Sequence, residues 1–455
     1  MHRLFQKRGS LLTRRHFLWE TGAGFSGLAL AWLFNQEARA VTPALPDSPY
    51  APKPTHFPAR AKRVIHICAC GGVSHVDTFD YKPELAKHQG EELTNKGKID
   101  TFFGRPGRLQ ASPFAFAQHG QSGKWVSDLL PHIAGCVDDL TFIHSMSSKS
   151  SNHTPATFFM NTGFTMNGFP CLGSWLSYGL GSENQNLPAF VVLPDPRQLP
   201  AGGAINWTSG FLPAVHQGVA LRTTGEAIHD LNTPADISPG RRAAEMKLLA
   251  RMNQDFLAAN PDDSTLAARI RSYELAARMQ LSVPEVVDLA GESDATKKLY
   301  GLDQTPTAGF GRNCLLARRL VEKGVRFVQL FHGGAFGSPR INWDGHENLA
   351  ENHRNQAISL DQPVAALIQD LKARGMLSDT LVLWTTEFGR TPVTEGVGGK
   401  GRDHHPHGFT IWMAGAGLKP GFSYGATDEV GYFASENKVQ VYDFHATVLH
   451  LLGLN

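Results

Sequence analysis

Short apolar runs punctuate this chain, and helix-length segments fill the gaps between them. That alternation constrains the fold more than any other feature. Residues 63–69, 140–143, 190–193, 325–330, 380–385 and 408–414 are each short and rich in β-branched or aromatic side chains. Runs of this kind read as strands buried on both faces. Helical periodicity is read over 125–134, from about 154, and over 171–180, 241–257, 265–281, 314–323, 362–374 and 442–452. Gly324 and Gly375 stand where two of these helices should stop. The expected fold is α/β, a mainly parallel central sheet flanked by helices on both faces. Residues 82–123 and 200–240 read as irregular, and about 240–300 as a helical insertion.

The N-terminus reads as a segment to be removed. Arg14-Arg15 lies in a basic stretch, a small-residue apolar run spans 22–34, and Ala38-Arg39-Ala40 follows. This order is that of a twin-arginine export signal over residues 1–40. The apolar run is too short to span a bilayer comfortably. Residues 41–60, rich in Pro and Ala, read as a linker, and 61–455 as a single domain. The expectation is an exported protein, periplasmic or extracellular, that meets the twin-arginine translocase and has no stable membrane span. A formal charge of +2 gives no electrostatic case for nucleic acid. The five cysteines, 68, 70, 136, 171 and 314, are not read as a disulfide framework, because this route carries folded proteins. Cys68 and Cys70 should point the same way from one strand.

Ligands of such sheets bind at the carboxyl ends of the strands. Polar residues gather in those loops: His75, Asp77 and Asp80 after the first run, then serines with Asn152 and His153 after the second. His332, Asp344 and His346 follow the 325–330 run, and Glu387 and Arg390 the 380–385 run. Arg402, Asp403, His404 and His405 precede the last run. Imidazoles beside carboxylates suit zinc, manganese or iron. Two such ions could clamp an anionic ester. Gly396-Val397-Gly398-Gly399-Lys400-Gly401 fits G-x-G-x-x-G but does not join a strand directly to a helix, so it is not read as a dinucleotide site. His332-Gly333-Gly334 has no G-x-S-x-G partner, which leaves a serine-hydrolase triad unsupported.

The motifs taken together resemble one family. They are Gly71 to Asp80, Asn152-His153, Trp343 to His346, Glu387 to Pro392, Arg402 to His405, Gly425 to Glu429 and Asp443 to Thr447. This set resembles the domain of unknown function 1501, placed in the alkaline phosphatase and sulfatase superfamily. The resemblance implies an alkaline-phosphatase-like core and one or two divalent ions, with zinc, calcium and manganese as candidates. It implies metal ligands among His75, Asp77, Asp344, His346, Glu387, His404 and His405. Ser150, Asn152, His153 and Arg390 are the implied catalytic group. Ser148, Ser151 and Thr154 are alternative nucleophiles, and no Cys/Ser-x-Pro-x-Arg sulfatase signature is present. The function implied is hydrolysis of sulfate or phosphate esters, with a sulfated carbohydrate as one candidate substrate. Alternatives are a non-catalytic binding or surface protein on the same fold, and a metal-dependent phosphomutase or lyase.

Overall fold

Val64, Ile65, Ile67 and Cys68 alternate sides along the first strand, and all are buried. Such a segment is stable only with layers on both of its faces. The computed structural model shows this arrangement and describes residues 50–94, 96–222, 236–260, 264–335 and 340–455. The expected signal and the first part of the linker lie outside the described residues.

The central strands are β1 (Arg63–Ala69), β3 (Leu140–Ser147), β4 (Phe190–Leu193), β5 (Val219–Ala220), β6 (Phe327–His332), β7 (Thr380–Thr385), β10 (Phe409–Gly415), β11 (Phe422–Tyr424) and β12 (Val439–Gln440). A small second sheet contains β2 (Pro106–Leu109), β8 (Gly389–Glu395) and β9 (Arg402–His405). The central order is β11-β3-β10-β7-β1-β6-β4-β5, with β12 also pairing with β3. Every central pairing is parallel except the two made by β10.

The principal helices are α1 (His153–Thr162), α2 (Leu172–Leu180), α3 (Pro239–Ala259), α4 (Ser264–Val287), α5 (Thr305–Glu322), α6 (Leu349–Ala373) and α7 (Val441–Leu451). Ile65, Ile67, Val328, Leu330, Val382 and Trp384 face α4, α5 and α6 in one core cluster. Val64, Cys68, Phe331, Leu381, Leu383 and Ile411 face α1, α2 and α7 in another. The fold is therefore α/β with helices on both faces. Cys68 and Cys70 share the second cluster, with their sulfurs 3.8 Å apart, and all five cysteines are free and buried. Among the described residues no helix is long and apolar enough to cross a membrane.

Two local expectations are corrected. Residues 125–134 are not one helix: Lys124–Ser127 pairs with Phe116–His119 as a hairpin, and only Pro131–Ala134 is helical. The 140–143 strand continues through the polar run to Ser147, because Ser145 Oγ donates to Asn437 O (2.7 Å) and Ser147 Oγ to Val439 O (3.2 Å).

The core holds several histidines that burial keeps neutral. Burial pushes His66, His332 and His353 each down to about 3. The unfolded chain takes up these protons near pH 6.5, and the native state only near 3. Stability is therefore lost as pH falls from about 6.5 toward 3, at up to about 1.4 kcal/mol per pH unit per histidine. The urea midpoint should fall steadily below pH 6.5; a flat midpoint between pH 7 and 5 would contradict this.

Candidate metal centre

Backbone geometry brings the key loops together at the carboxyl ends of β1, β6 and β7. Gly71, just past β1, has φ +115°, and a Cβ there would stand 2.4 Å from Trp343 N. Only glycine allows the two loops to approach this closely. Trp343 N–H donates to Cys70 O (2.9 Å), which delivers Asp344 beside Gly71. His346 follows one glycine later. His153 opens α1, directly after β3 and its serine loop. His404 lies on β9, whose partner β8 places Arg390 opposite it.

Three imidazoles converge on one carboxylate oxygen. Asp344 Oδ1 lies 2.8 Å from His346 Nε2, 3.2 Å from His404 Nε2 and 3.3 Å from His153 Nε2. One ligand atom from each of the four residues lies within 4.8 Å of the others. Each ring is held from behind. His153 Nδ1 meets Glu387 Oε1 at 2.7 Å, His346 Nδ1 meets Glu395 Oε2, and His404 Nδ1 donates to Ser151 O at 2.6 Å. Such outer acceptors fix the tautomer of ligand histidines and aim Nε2 at the ion.

This arrangement fits a cation. A carbonyl oxygen only accepts, so His404 carries its proton on Nδ1 and presents a lone pair at Nε2. Burial pushes His404 down to about 3, outweighing Asp344 and keeping it uncharged at neutral pH. His346 Nε2 stands 2.9 Å from His404 Nε2. Both rings also face Asp344 Oδ1, beside the Arg390 guanidinium, so imidazole nitrogens and a carboxylate oxygen gather about one point as they would around a metal ion. Burial alone would raise Asp344. The Arg390 charge beside it outweighs burial and holds the carboxyl well below the usual range. Burial would likewise lower His153, but Asp344 and Glu387 outweigh it and raise that group.

The expected residues divide cleanly. Asp344, His346 and His404 come together. His153, expected in the catalytic group, joins them as a fourth donor. Glu387 stands one step back, where Oε1 also accepts from Gly71 N–H (2.8 Å). His75, Asp77 and His405 are corrected, because none reaches the cluster. His75 Nε2 donates to Gly431 O (2.8 Å) from a turn facing the other way. Asp77 is tied to Arg402 by contacts of 2.8 and 3.2 Å. His405 bonds Tyr432 O, because neighbouring strand residues point to opposite sides.

The expected catalytic group is also reassigned. Arg390 is fully buried and spends its donors on Gly71 O, Gly72 O, Arg402 O and Asp344 Oδ1. It balances the charge of Asp344, and its fifth N–H faces His346 Nε2 at 3.5 Å, so its donors are turned inward rather than toward a substrate. Ser150 Oγ accepts from Asn152 N–H (3.1 Å), and Asn152 is the residue before α1. Both shape the helix entry.

Sequence reading passed over Glu395 and the Phe102-Phe103 pair, and noted Asp403 without giving it a role. His346, Glu395 and Asp403 form a second possible grouping. Asp403 is already committed: it accepts the amides of Phe102 (2.7 Å), Phe103 (3.0 Å) and His404 (2.7 Å). The carboxylates of this grouping serve as supports, which favours one ion over two.

Glu387→Gln keeps the shape of its side chain but removes the charge behind His153. Metal affinity should fall about 10–100-fold with the fold intact. Competition with a chelator measures it, and an unchanged affinity would deny Glu387 this role.

No curated protein matches the chain. Distant likenesses to solved structures exist. The PsFucS1 sulfatase from Pseudoalteromonas sp. is 12% identical, with TM-score 0.38, covering 87% of this chain and 68% of that one. The lipoteichoic acid synthase LtaP from Listeria monocytogenes is 12% identical, with TM-score 0.37 over 90% and 77%. The alkaline phosphatase from the Antarctic bacterium TAB5 is 11% identical, with TM-score 0.35 over 87% and 99%. Likenesses this distant carry no activity across. The sequence itself is decisive at the family level: residues 61–455 match the family described as protein of unknown function (DUF1501), and the chain belongs to that family.

Proposed function

We propose that this chain is an exported, metal-dependent hydrolase of sulfate or phosphate esters. The observation that carries the reading is the meeting of three Nε2 atoms at Asp344 Oδ1, each ring held from behind at Nδ1. His153, Asp344, His346 and His404 would hold the ion. Three imidazoles and one carboxylate suit zinc, manganese or iron, and argue against calcium, which prefers oxygen. A bound ion supplies Lewis-acid polarisation of an ester oxygen. Arg340 touches Asp344 Oδ2, pairs with Glu347 and stays partly exposed, which puts a cation beside the centre on its solvent side. A sulfated carbohydrate is one substrate of this class. The twin-arginine route agrees with a centre loaded before export.

The test is metal analysis of protein from its native host, followed by assays on aryl sulfate and aryl phosphate. About one transition-metal ion per chain and turnover of either ester support the reading. Absence of the metal sinks it. Metal without turnover favours a second reading, a metal-bearing binding protein. The commitment of Ser150 to the entry of α1 speaks for that alternative.

A further inference from the structure

Two partly exposed phenylalanines stand against the candidate ligand histidines. Phe102 is 39% exposed and Phe103 49%. The Phe102 ring stacks on His404 at 4.7 Å between centroids and 26° between planes. Phe103 meets His346 edge-on at 5.1 Å and 84°. The two phenylalanine rings are perpendicular, with centroids 4.7 Å apart.

Their placement is built. Asp403, buried beside His404, accepts both of their amides through one oxygen. Thr101 Oγ1 donates to Gly104 O (3.2 Å) and closes the loop on itself. Upstream, Asp100 N–H donates to the Tyr432 hydroxyl (3.0 Å), and His407 Nε2 donates to Asp100 Oδ2 (2.8 Å). A buried carboxylate next to a ligand histidine is thus used to present two partly exposed rings at the rim of the centre. Rings held like this offer stacking and edge contacts to a flat apolar group.

We infer that Phe102 and Phe103 form a platform that selects esters whose organic part presents a flat apolar face, an aryl ring or the C–H face of a sugar, next to the anionic group. This rests on the metal reading above, and the platform decides which organic group follows the anion into the site.

The test uses the full chain loaded with cobalt(II), titrated with phenylphosphonate and methylphosphonate while the cobalt spectrum is followed. The wild type should bind phenylphosphonate roughly 10-fold more tightly, the size of effect that aromatic stacking and ring burial provide. In F102A/F103A that preference should shrink to about 2-fold, the ratio of the two affinities being compared on cobalt-loaded protein of each form. F102L/F103L retains bulk should the alanine variant misfold, and should lose most of the preference too. Equal binding of both ligands by the wild type, or an unchanged preference in both variants, overturns the platform. Failure to take up cobalt overturns the metal reading and the platform with it; the affinity ratio reports on the phenylalanines alone.

Discussion

Alanine at His404 is expected to empty the centre. In the proposed centre His404 is one of four donors, and its loss should weaken metal binding by more than the roughly 100-fold that losing an outer support costs. A 100-fold loss already removes up to about 2.7 kcal/mol of metal-linked stability. The metal-free protein should be nearly as stable as its wild-type counterpart, because the variant also removes the 2.9 Å approach of two lone pairs. The measurements are metal content after dialysis and melting temperature with and without chelator. His405→Ala is the control. That ring faces Tyr432 O, so the variant should keep its metal while losing some stability. If H404A holds metal as well as H405A, the proposed donor set is mistaken.

Arg402→Met should be among the most damaging single changes to stability. Arg402 and Asp77 are both fully buried and paired. Breaking such a pair from one side strands the other charge, at a cost of about 3–5 kcal/mol. An exposed pair such as Lys87 with Glu84 is worth about 0–1 kcal/mol by comparison. Urea unfolding reads the difference. Adding Asp77→Asn should restore part of the loss, since the stranded carboxylate disappears. A loss below about 1 kcal/mol would show that solvent reaches the pair.

Much of the fold was legible because strands buried on both faces must be continuously apolar. Residues 63–69, 190–193 and 380–385 were readable for that reason alone. The polar end of β3 was not, because its serines are satisfied by carbonyls of distant segments. The hairpin at 116–127 hid for a different reason: cross-strand pairing of Lys124–Ser127 with Phe116–His119 overrode a helical pattern. In the centre, Asp344 and His346 were visible as a close pair just past a strand. The choice between His404 and His405 needed the facing of β9, which composition does not disclose. His153 was noticed but given a different role, since its partners come from separate loops. Glu395 carried no local signal; only the folding of the β8–β9 hairpin brings it behind His346.

β9 gives four successive residues four separate duties. Arg402 reaches Asp77, Asp403 holds the Phe102-Phe103 loop, His404 faces the candidate metal cluster and His405 bonds Tyr432 O. The strand is pinned at its start, where a Cβ on Gly401 would fall 1.7 Å from His346 O. A slip of one residue would exchange every side chain between faces at once. Length changes in this hairpin are therefore inherited as all-or-none events. A single inserted or deleted codon within 402–405 would therefore displace the candidate ligand, the partner of Asp77 and the anchor of the aromatic rim together.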